Sequence, residues 1–107
     1  MNFCIIYTLT NNEDEAKKIA HTLVKEKLAA CCNIVRNVMS VYEWKEQICE
    51  DNEHLILIKT KKELFEEVKN CILKNHSCEL PAIIMLPIET GSQKFLDWIG
   101  ENTKNEI

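Results

Sequence analysis

Three stretches of the chain are apolar at almost every position, and they predict strands that are covered on both faces. They span residues 3–9, 55–58 and 82–87. Alternation of apolar and polar residues is typical of a sheet with one face in water, whereas short continuous apolar runs are typical of strands buried on both sides. Pro87 stands at the end of the third run, where it ends the strand or lies at a sheet edge.

Apolar residues at helical spacing predict two amphipathic helices, over residues 12–28 and 61–75. The segments 10–13 and 60–63 each read Thr-x-x-Glu and fit a capping box, which is typical of a helix start. A third helix is predicted to begin at Gly91 and to carry its large apolar residues on one side.

Two long arms between the first two helices predict a β-hairpin with a polar turn near residues 45–47. Neither arm contains Gly or Pro, and both are rich in β-branched and aromatic residues, which favours strands. The arm over residues 31–45 would span roughly 50 Å at about 3.3 Å per residue. A compact domain of this length is only about 35 Å across. Because an isolated two-stranded ribbon is marginal in water, we expect a second copy of the chain to hold its far end.

The predicted element order is β-α-β-β-α-β followed by a C-terminal helix, which indicates an α+β, ferredoxin-like fold. In that fold both main helices cover one face of an antiparallel sheet. About eight large apolar side chains would then point away from the helices, a patch too large for an exposed surface. We therefore expect sheet-to-sheet packing of subunits in an obligate cyclic oligomer.

Composition and charge narrow the class of protein. The 107 residues are expected to form one domain over 1–107, and the net charge of −4 with a single arginine, Arg36, argues against a nucleic-acid surface. No apolar run reaches the roughly 18 residues of a membrane span. The N-terminus has no basic region before an apolar run, so a cytoplasmic location without membrane association is expected.

The sequence contains no motif that indicates catalysis. Its two glycines provide no phosphate-binding loop, and its six cysteines include no Cys-x-x-Cys pair for a zinc knuckle or thioredoxin-type site. We expect the thiols to be reduced and the protein to lack enzymatic activity. The alternative, a hydrolase without a recognisable motif, would be demonstrated by turnover of a generic panel of substrates.

His76 and Cys78 are the candidate metal ligands. They stand two residues apart on a predicted connector, and imidazole with thiolate suits copper or zinc. Two ligands make a weak site, which Glu79 or a neighbouring subunit could complete. The alternative is that His76 makes a hydrogen bond near a helix C-terminus, where a cation is favoured.

A second candidate site combines aromatic and charged residues. If the hairpin crosses to a neighbour, these residues could line an inter-subunit cleft for a small anion or metabolite. The alternative is that the aromatic members anchor the interface between subunits. The set consists of Tyr42, Trp44, Glu53, Lys59 and Trp98.

Taken in order, a set of short motifs resembles the CutA divalent-cation tolerance family over nearly the whole chain. The resemblance implies a ferredoxin-like subunit, a tight homotrimer, a likeness to trimeric PII signalling proteins, and tolerance of copper and other divalent metals without an agreed enzymatic activity. The matching residues are Leu-Ala-Ala-Cys-Cys-Asn-Ile at 28–34, Ser-x-Tyr-x-Trp at 40–44, Glu53, Leu-Ile-Leu-Ile-Lys-Thr at 55–60, His-x-x-x-x-Pro-x-Ile at 76–83, Leu-Pro-Ile at 86–88, Gly91 and Leu-x-Trp-Ile at 96–99.

Four positions depart from the family pattern. Glu46 replaces a usual Gly in the turn after the hairpin Trp, and Ala82 replaces a Glu. Cys78 replaces an aromatic residue, and Thr8 stands where some members have Cys. His76 is therefore the one proposed metal ligand that the resemblance carries over directly.

Two functional hypotheses follow. The first is a trimeric, non-catalytic protein of the divalent-metal response that binds copper weakly through His76, with Cys78. The second is a PII-like signalling or scaffold trimer that binds a small metabolite or a partner protein at its inter-subunit clefts.

Overall fold

The computed structural model describes residues 2–105, which form four strands and three helices. None of these helices is long and apolar enough to cross a bilayer. The order is the predicted ferredoxin-like β-α-β-β-α-β with an additional helix. The elements are β1 (Phe3–Thr10), α1 (Glu13–Lys25), β2 (Cys31–Trp44), β3 (Gln47–Lys61), α2 (Phe65–Asn75), β4 (Ile83–Pro87) and α3 (Gln93–Glu101), with a 3-10 turn at Lys62–Leu64 before α2.

The four strands form one antiparallel sheet in the order β2-β3-β1-β4. The strands β1 and β3 pair along the whole of β1, from Phe3 opposite Lys61 to Thr10 opposite His54. The short strand β4 forms one edge of the sheet and β2 forms the other.

Helices α1 and α2 cover one face of the sheet and enclose the main core with it. Every second residue of β1 and β3 points into this core, as the period-2 geometry of a strand requires. The largest fully buried members are Ile6, Ile56 and Ile58 from the strands, and Ile19, Leu23, Leu64, Val68 and Ile72 from the helical layer.

The opposite face of the sheet is covered at one end only. There α3 packs on it, with Ile99 buried against Phe3 and Ala30. Beyond α3, no other element of residues 2–105 lies over this face, and its apolar side chains are partly or largely exposed; Ile84, for example, is 51% exposed. We call this surface the open face; its apolar members are Ile5, Tyr7, Leu9, Val35, Leu55, Leu57, Ile84 and Leu86.

The hairpin is long, as predicted, and extends past the rest of the sheet. Strand β1 ends opposite His54, so residues 38–53 continue as a two-stranded ribbon, which we call the ribbon. The molecule consequently measures 44 × 26 × 21 Å along its principal axes.

Two backbone irregularities shape the hairpin. A bulge interrupts the pairing between Val35 and Val38, and Asn37 within it has φ of 62°. At the tip, Trp44 pairs with Gln47 around a two-residue turn in which Lys45 and Glu46 both have positive φ. Such a turn favours Asn and Gly, so Glu46 is held in a conformation that side chains disfavour.

The helix starts differ from the predictions. The cap of α1 is Asn12, whose side-chain oxygen accepts from the backbone N–H of Glu15 at 2.7 Å. The predicted cap Thr10 is the last residue of β1. Thr60 lies within β3, where its hydroxyl donates to the carbonyl of Leu28 at 2.6 Å, and α2 begins after the 3-10 turn without a side-chain cap. Both predicted capping boxes were therefore wrong, because each Thr is bound into the sheet instead.

Candidate functional site

The most prominent cavity is a groove of about 560 Å³ between the ribbon and the connector that joins α2 to β4. The connector passes the end of β1, next to the part of β3 that β1 leaves unpaired. Alternate ribbon residues face the groove because strand side chains alternate between faces. The groove residues are Leu9, Asn11, Ser40, Val41, Tyr42, Trp44, Asp51, Glu53, His76, Cys78, Glu79, Leu80, Pro81 and Ala82.

The ribbon side of the groove is aromatic and acidic. Tyr42 and Trp44 are 40% and 39% exposed, and the Tyr42 hydroxyl donates a hydrogen bond to Asp51 Oδ2 on the neighbouring strand. That hydrogen bond, together with desolvation, raises the pKa of Tyr42 to about 12. The tyrosine therefore stays neutral and the Asp51 carboxylate accepts from it.

The His76 ring lies at the base of the connector, with its side chain only 1% exposed. Its Nε2 is 2.6 Å from the carbonyl oxygen of Leu9, and its Nδ1 accepts from the backbone N–H of Cys78 at 3.0 Å. A carbonyl requires a donor and an N–H requires an acceptor, so the ring is the neutral Nε2–H tautomer. Both ring nitrogens are thus engaged in hydrogen bonds. This geometry matches the alternative to metal binding given in the sequence analysis, in which His76 makes hydrogen bonds near the end of α2.

Glu15 holds the connector from the side of α1. Its carboxylate accepts from the backbone N–H and the hydroxyl of Ser77, at 3.1 and 3.3 Å, and lies 3.8 Å from Nδ1 of His76. Because this side chain and the His76 ring bind consecutive residues, they fix the direction in which the connector enters the groove.

Cys78 presents a protonated thiol to the groove. The Asn11 side-chain amide donates to its Sγ at 3.2 Å. Burial raises the pKa of the Cys78 thiol, and the nearby negative charge of Glu15 raises it further, while the Asn11 hydrogen bond acts in the opposite direction. A thiol in this state must lose a proton before it can bind a metal ion.

The side chains of one subunit do not make a ready metal site. Among residues 2–105 no group of three or more His, Cys, Asp or Glu side chains converges as metal ligands would. An ion at His76 would have to replace the hydrogen bond to Leu9 or the one from Cys78. Thr8 is fully buried and lies on the helix-covered face, away from the groove.

The charge of the groove nevertheless favours cations. Its lining includes the carboxylates of Asp51, Glu53 and Glu79, and none of the described residues that line it is Lys or Arg. A small anion is among the possible ligands predicted from the sequence, but the three carboxylates of the groove would repel an anion.

Two residues of the predicted cleft lie elsewhere. Trp98 is a residue of α3, and Lys59 lies beside that helix. The Lys59 ammonium is 5.4 Å from the centre of the Phe95 ring, and Phe95 stacks on Trp98 with 5.5 Å between ring centres. Within one subunit the five-residue cleft is therefore not formed. Only Tyr42, Trp44 and Glu53 join His76 and Cys78 in the groove.

Sequence reasoning missed three residues that shape the groove. Asp51 could have been found, because it lies two residues before Glu53 and thus on the same strand face. Glu15 and Asn11 had no signal of their own. Each meets the connector across more than sixty residues of chain, a contact that only the tertiary fold creates.

Comparison with protein families gives one match over almost the whole chain. Residues 4–102 match the model of the CutA1 divalent ion tolerance protein family. The chain is 42% identical over 101 residues to the chloroplastic protein CutA of Arabidopsis thaliana, covering 94% of this chain and 56% of the plant protein. It is 39% identical over 99 residues to the divalent-cation tolerance protein CutA of Thermus thermophilus, covering 92% and 96%.

Solved structures show the same fold. Crystalline CutA1 of Oryza sativa superimposes with a TM-score of 0.96 at 34% identity, covering 99% of this chain and 97% of the rice protein. The divalent-cation tolerance protein of Thermus thermophilus gives 0.93 at 38% identity, covering 95% and 99%. The chain spans only 56% of the plant relatives' full length, so these likenesses concern the part of them that it matches.

Proposed function

The chain belongs to the CutA1 divalent ion tolerance family, and on this premise we propose that it is a non-catalytic homotrimer that binds copper weakly in the ribbon groove. In this proposal the metal ion is a ligand to which the protein responds, rather than a resident cofactor. The observation that carries the proposal is the lining of the groove, which combines His76, Cys78 and three carboxylates and has no Lys or Arg among its described residues.

Weak rather than tight binding follows from the state of the two candidate ligands. His76 must give up one of its two hydrogen bonds before a ring nitrogen can reach an ion. Cys78 must lose a proton that its surroundings retain. Each of these costs reduces the net affinity, while the carboxylates of the ribbon attract the ion to the groove.

A non-catalytic role is supported by the same contacts. Covalent catalysis needs a nucleophile within hydrogen-bond reach of a base. In the groove, His76 accepts from the backbone N–H of Cys78, and it is the amide of Asn11 that contacts the Cys78 sulfur. The thiol is therefore not activated by the imidazole.

The trimer is supported by the open face and the ribbon. The open face leaves eight large apolar side chains without cover, each worth roughly 1.5–3 kcal/mol when buried. The ribbon in turn exposes apolar side chains along its length: Met39 near its base is 64% exposed and Ile48 near its tip is 73% exposed. Closed association of three copies would cover both surfaces, whereas a monomer would leave them in water.

A PII-like signalling trimer remains the second candidate, and the aromatic half of the groove favours it. Tyr42 and Trp44 offer half-exposed ring faces in a cavity large enough for a small metabolite. The carboxylates then indicate a neutral or positively charged metabolite. Thermal-shift screening distinguishes this candidate, because a ligand that binds only the native protein raises its apparent stability.

Calorimetry tests the copper proposal. Cu²⁺ is titrated into the wild type and into His76→Ala, with Zn²⁺ in parallel because zinc does not oxidise thiols. We expect weak binding by the wild type and at least a fivefold loss of affinity in the variant. The matched control is His21→Ala, which removes an exposed histidine of α1 and should leave the isotherm unchanged. Identical isotherms for wild type and His76→Ala would exclude His76 as a ligand.

A further inference from the structure

Lys61, the last residue of β3, carries a buried charge and does not line the groove. The residue is 3% exposed. Its ammonium donates to the carbonyl oxygens of Thr103 and Lys104, at 3.3 and 3.2 Å, and to Oδ1 of Asn105 at 3.3 Å. Three donors thus meet three acceptors, which satisfies the hydrogen-bonding capacity of the ammonium.

The three acceptors are uncharged and consecutive in sequence. No carboxylate within residues 2–105 forms an ion pair with Lys61. A buried ammonium is costly unless it is fully bound, so the Lys61 charge and the segment after α3 depend on each other. The site lies just past the C-terminal end of α3, where the helix dipole also favours a cation.

Helix α3 is otherwise attached to the sheet by few buried contacts. Ile99 is the one residue of α3 that is fully buried, and it belongs to a small cluster with Phe3 and Ala30, separate from the core under α1 and α2. A cleft of about 430 Å³ remains between α3 and the strands, and Phe3, Lys61 and Leu96 are among the residues that line it. The helix is therefore loosely packed, and polar contacts carry much of its attachment.

We propose that residues 102–105 form a strap, that the Lys61 ammonium is its latch, and that opening this latch releases α3 while the α1–α2 core stays folded. Two other contacts join the strap to parts of the subunit outside α3. The backbone N–H of Lys104 donates to the carbonyl of Lys27 at 2.8 Å. The ammonium of Lys104 forms an exposed ion pair with Glu67 at 2.9 Å, and such a pair contributes little to stability.

Release of the strap changes the open face. Phe3 and Ala30 lose their cover, and the stacked Phe95–Trp98 pair leaves the end of the open face. The latch thereby offers a way to alter the assembly surface from the C-terminal side without unfolding the subunit. This last consequence rests on the proposed trimer, whereas the latch itself does not.

Hydrogen exchange measured by mass spectrometry tests the latch in Lys61→Met, which keeps an unbranched side chain one atom shorter and removes its charge. We expect amide exchange in peptides covering residues 93–105 to be at least tenfold faster than in the wild type. Peptides from β1 and α2 should change less than twofold. The control is Lys18→Met, which removes an exposed lysine of α1 and leaves the contacts of Lys61 with the strap and of Lys59 with α3 in place.

A second variant keeps the test decisive if Lys61→Met does not fold. Asn105→Ala removes an exposed acceptor and leaves the ammonium in place, so we expect about threefold faster exchange of the strap alone. Exchange of the strap as slow as in the wild type would overturn the proposal, and so would equal acceleration in every peptide. Sedimentation of the same variants reports on assembly, so a fault in the proposed trimer is separable from a fault in the latch.

Discussion

The open face predicts that a single charge at its centre breaks the assembly. Leu57 lies there, paired with Tyr7 on β1 and with Asn33 on β2, and its side chain points away from the helices. Leu57→Asp would place a carboxylate where the proposed trimer has an apolar contact. In the isolated subunit the same position is only partly buried, so the charge can remain in water.

The magnitude follows from burial. A leucine side chain contributes roughly 1.5–3 kcal/mol when it is fully buried, and because Leu57 is already partly buried in the subunit, the trimer adds about half of this. A closed trimer contains three copies of the position, so the loss is roughly 2–5 kcal/mol. Since about 1.4 kcal/mol corresponds to a factor of ten, the trimer dissociation constant should rise by at least about thirtyfold. Desolvation of the three carboxylates would add to this loss.

Size-exclusion chromatography with light scattering over a dilution series is the assay. We expect Leu57→Asp to elute as a smaller species, or to unfold if the subunit has no stable monomeric state. The matched control is Leu80→Asp, which adds the same charge at a connector leucine that is 74% exposed and lies off the sheet. A Leu57→Asp protein with the mass and melting temperature of the wild type would refute the reasoning.

Three further predictions concern acid stability, thiol reactivity and the hairpin turn. Hydrogen bonds from Arg36 and Lys17 lower the pKa of the Glu13 carboxyl from 4.5 to about 2. The stabilising contribution of the Glu13 carboxylate is therefore complete above pH 4.5 and is lost as the pH falls towards 2. Melting temperatures of Glu13→Gln should depend less on pH in that window than those of the wild type. Desolvation in its partly buried position raises the pKa of Cys32 to about 12, so its thiol should react more slowly with iodoacetamide at pH 8 in the native protein than after unfolding, as judged by mass spectrometry. Native labelling as fast as that of the unfolded chain would contradict this. Glu46→Gly should raise the free energy of unfolding in urea by about 1 kcal/mol because it relieves a positive φ, whereas Glu50→Gly in the adjoining strand should lower it; equal effects would show that the turn is not strained.

The apolar pattern was sufficient to predict the sheet. The runs in β1, β3 and β4 lack alternation because the helices cover one side and the open face is apolar on the other, so each run is apolar whichever way a residue points. The same pattern predicted the two main helices, whose buried faces repeat at helical spacing. It could not locate their caps, since Thr10 and Thr60 resemble caps in sequence but are strand residues that bond elsewhere.

The candidate site was predictable only by residue type. His76 and Cys78 were identified as possible metal ligands, but the Nε2–H of His76 donates to the carbonyl oxygen of Leu9, 67 positions away. A local pattern contains no information about that partner. The Lys61 latch escaped notice for the same reason, because its three acceptors lie more than forty residues further along the chain.

Separation of Lys59 and Trp98 from the groove has a geometric cause. Lys59 is six residues from Glu53 along an extended strand, which places them roughly 20 Å apart. Helix α3 packs at the Lys59 end of the open face, opposite to the end at which the ribbon begins. Only a second copy of the chain could bring the two sets of residues together.

Sedimentation velocity of the wild-type protein at micromolar concentration tests the central claim most directly. The account predicts a single folded species of three times the 12.5 kDa subunit mass that persists on tenfold dilution. A well-folded species of 12.5 kDa at that concentration would contradict it, because the open face and the ribbon would then be stable in water on their own.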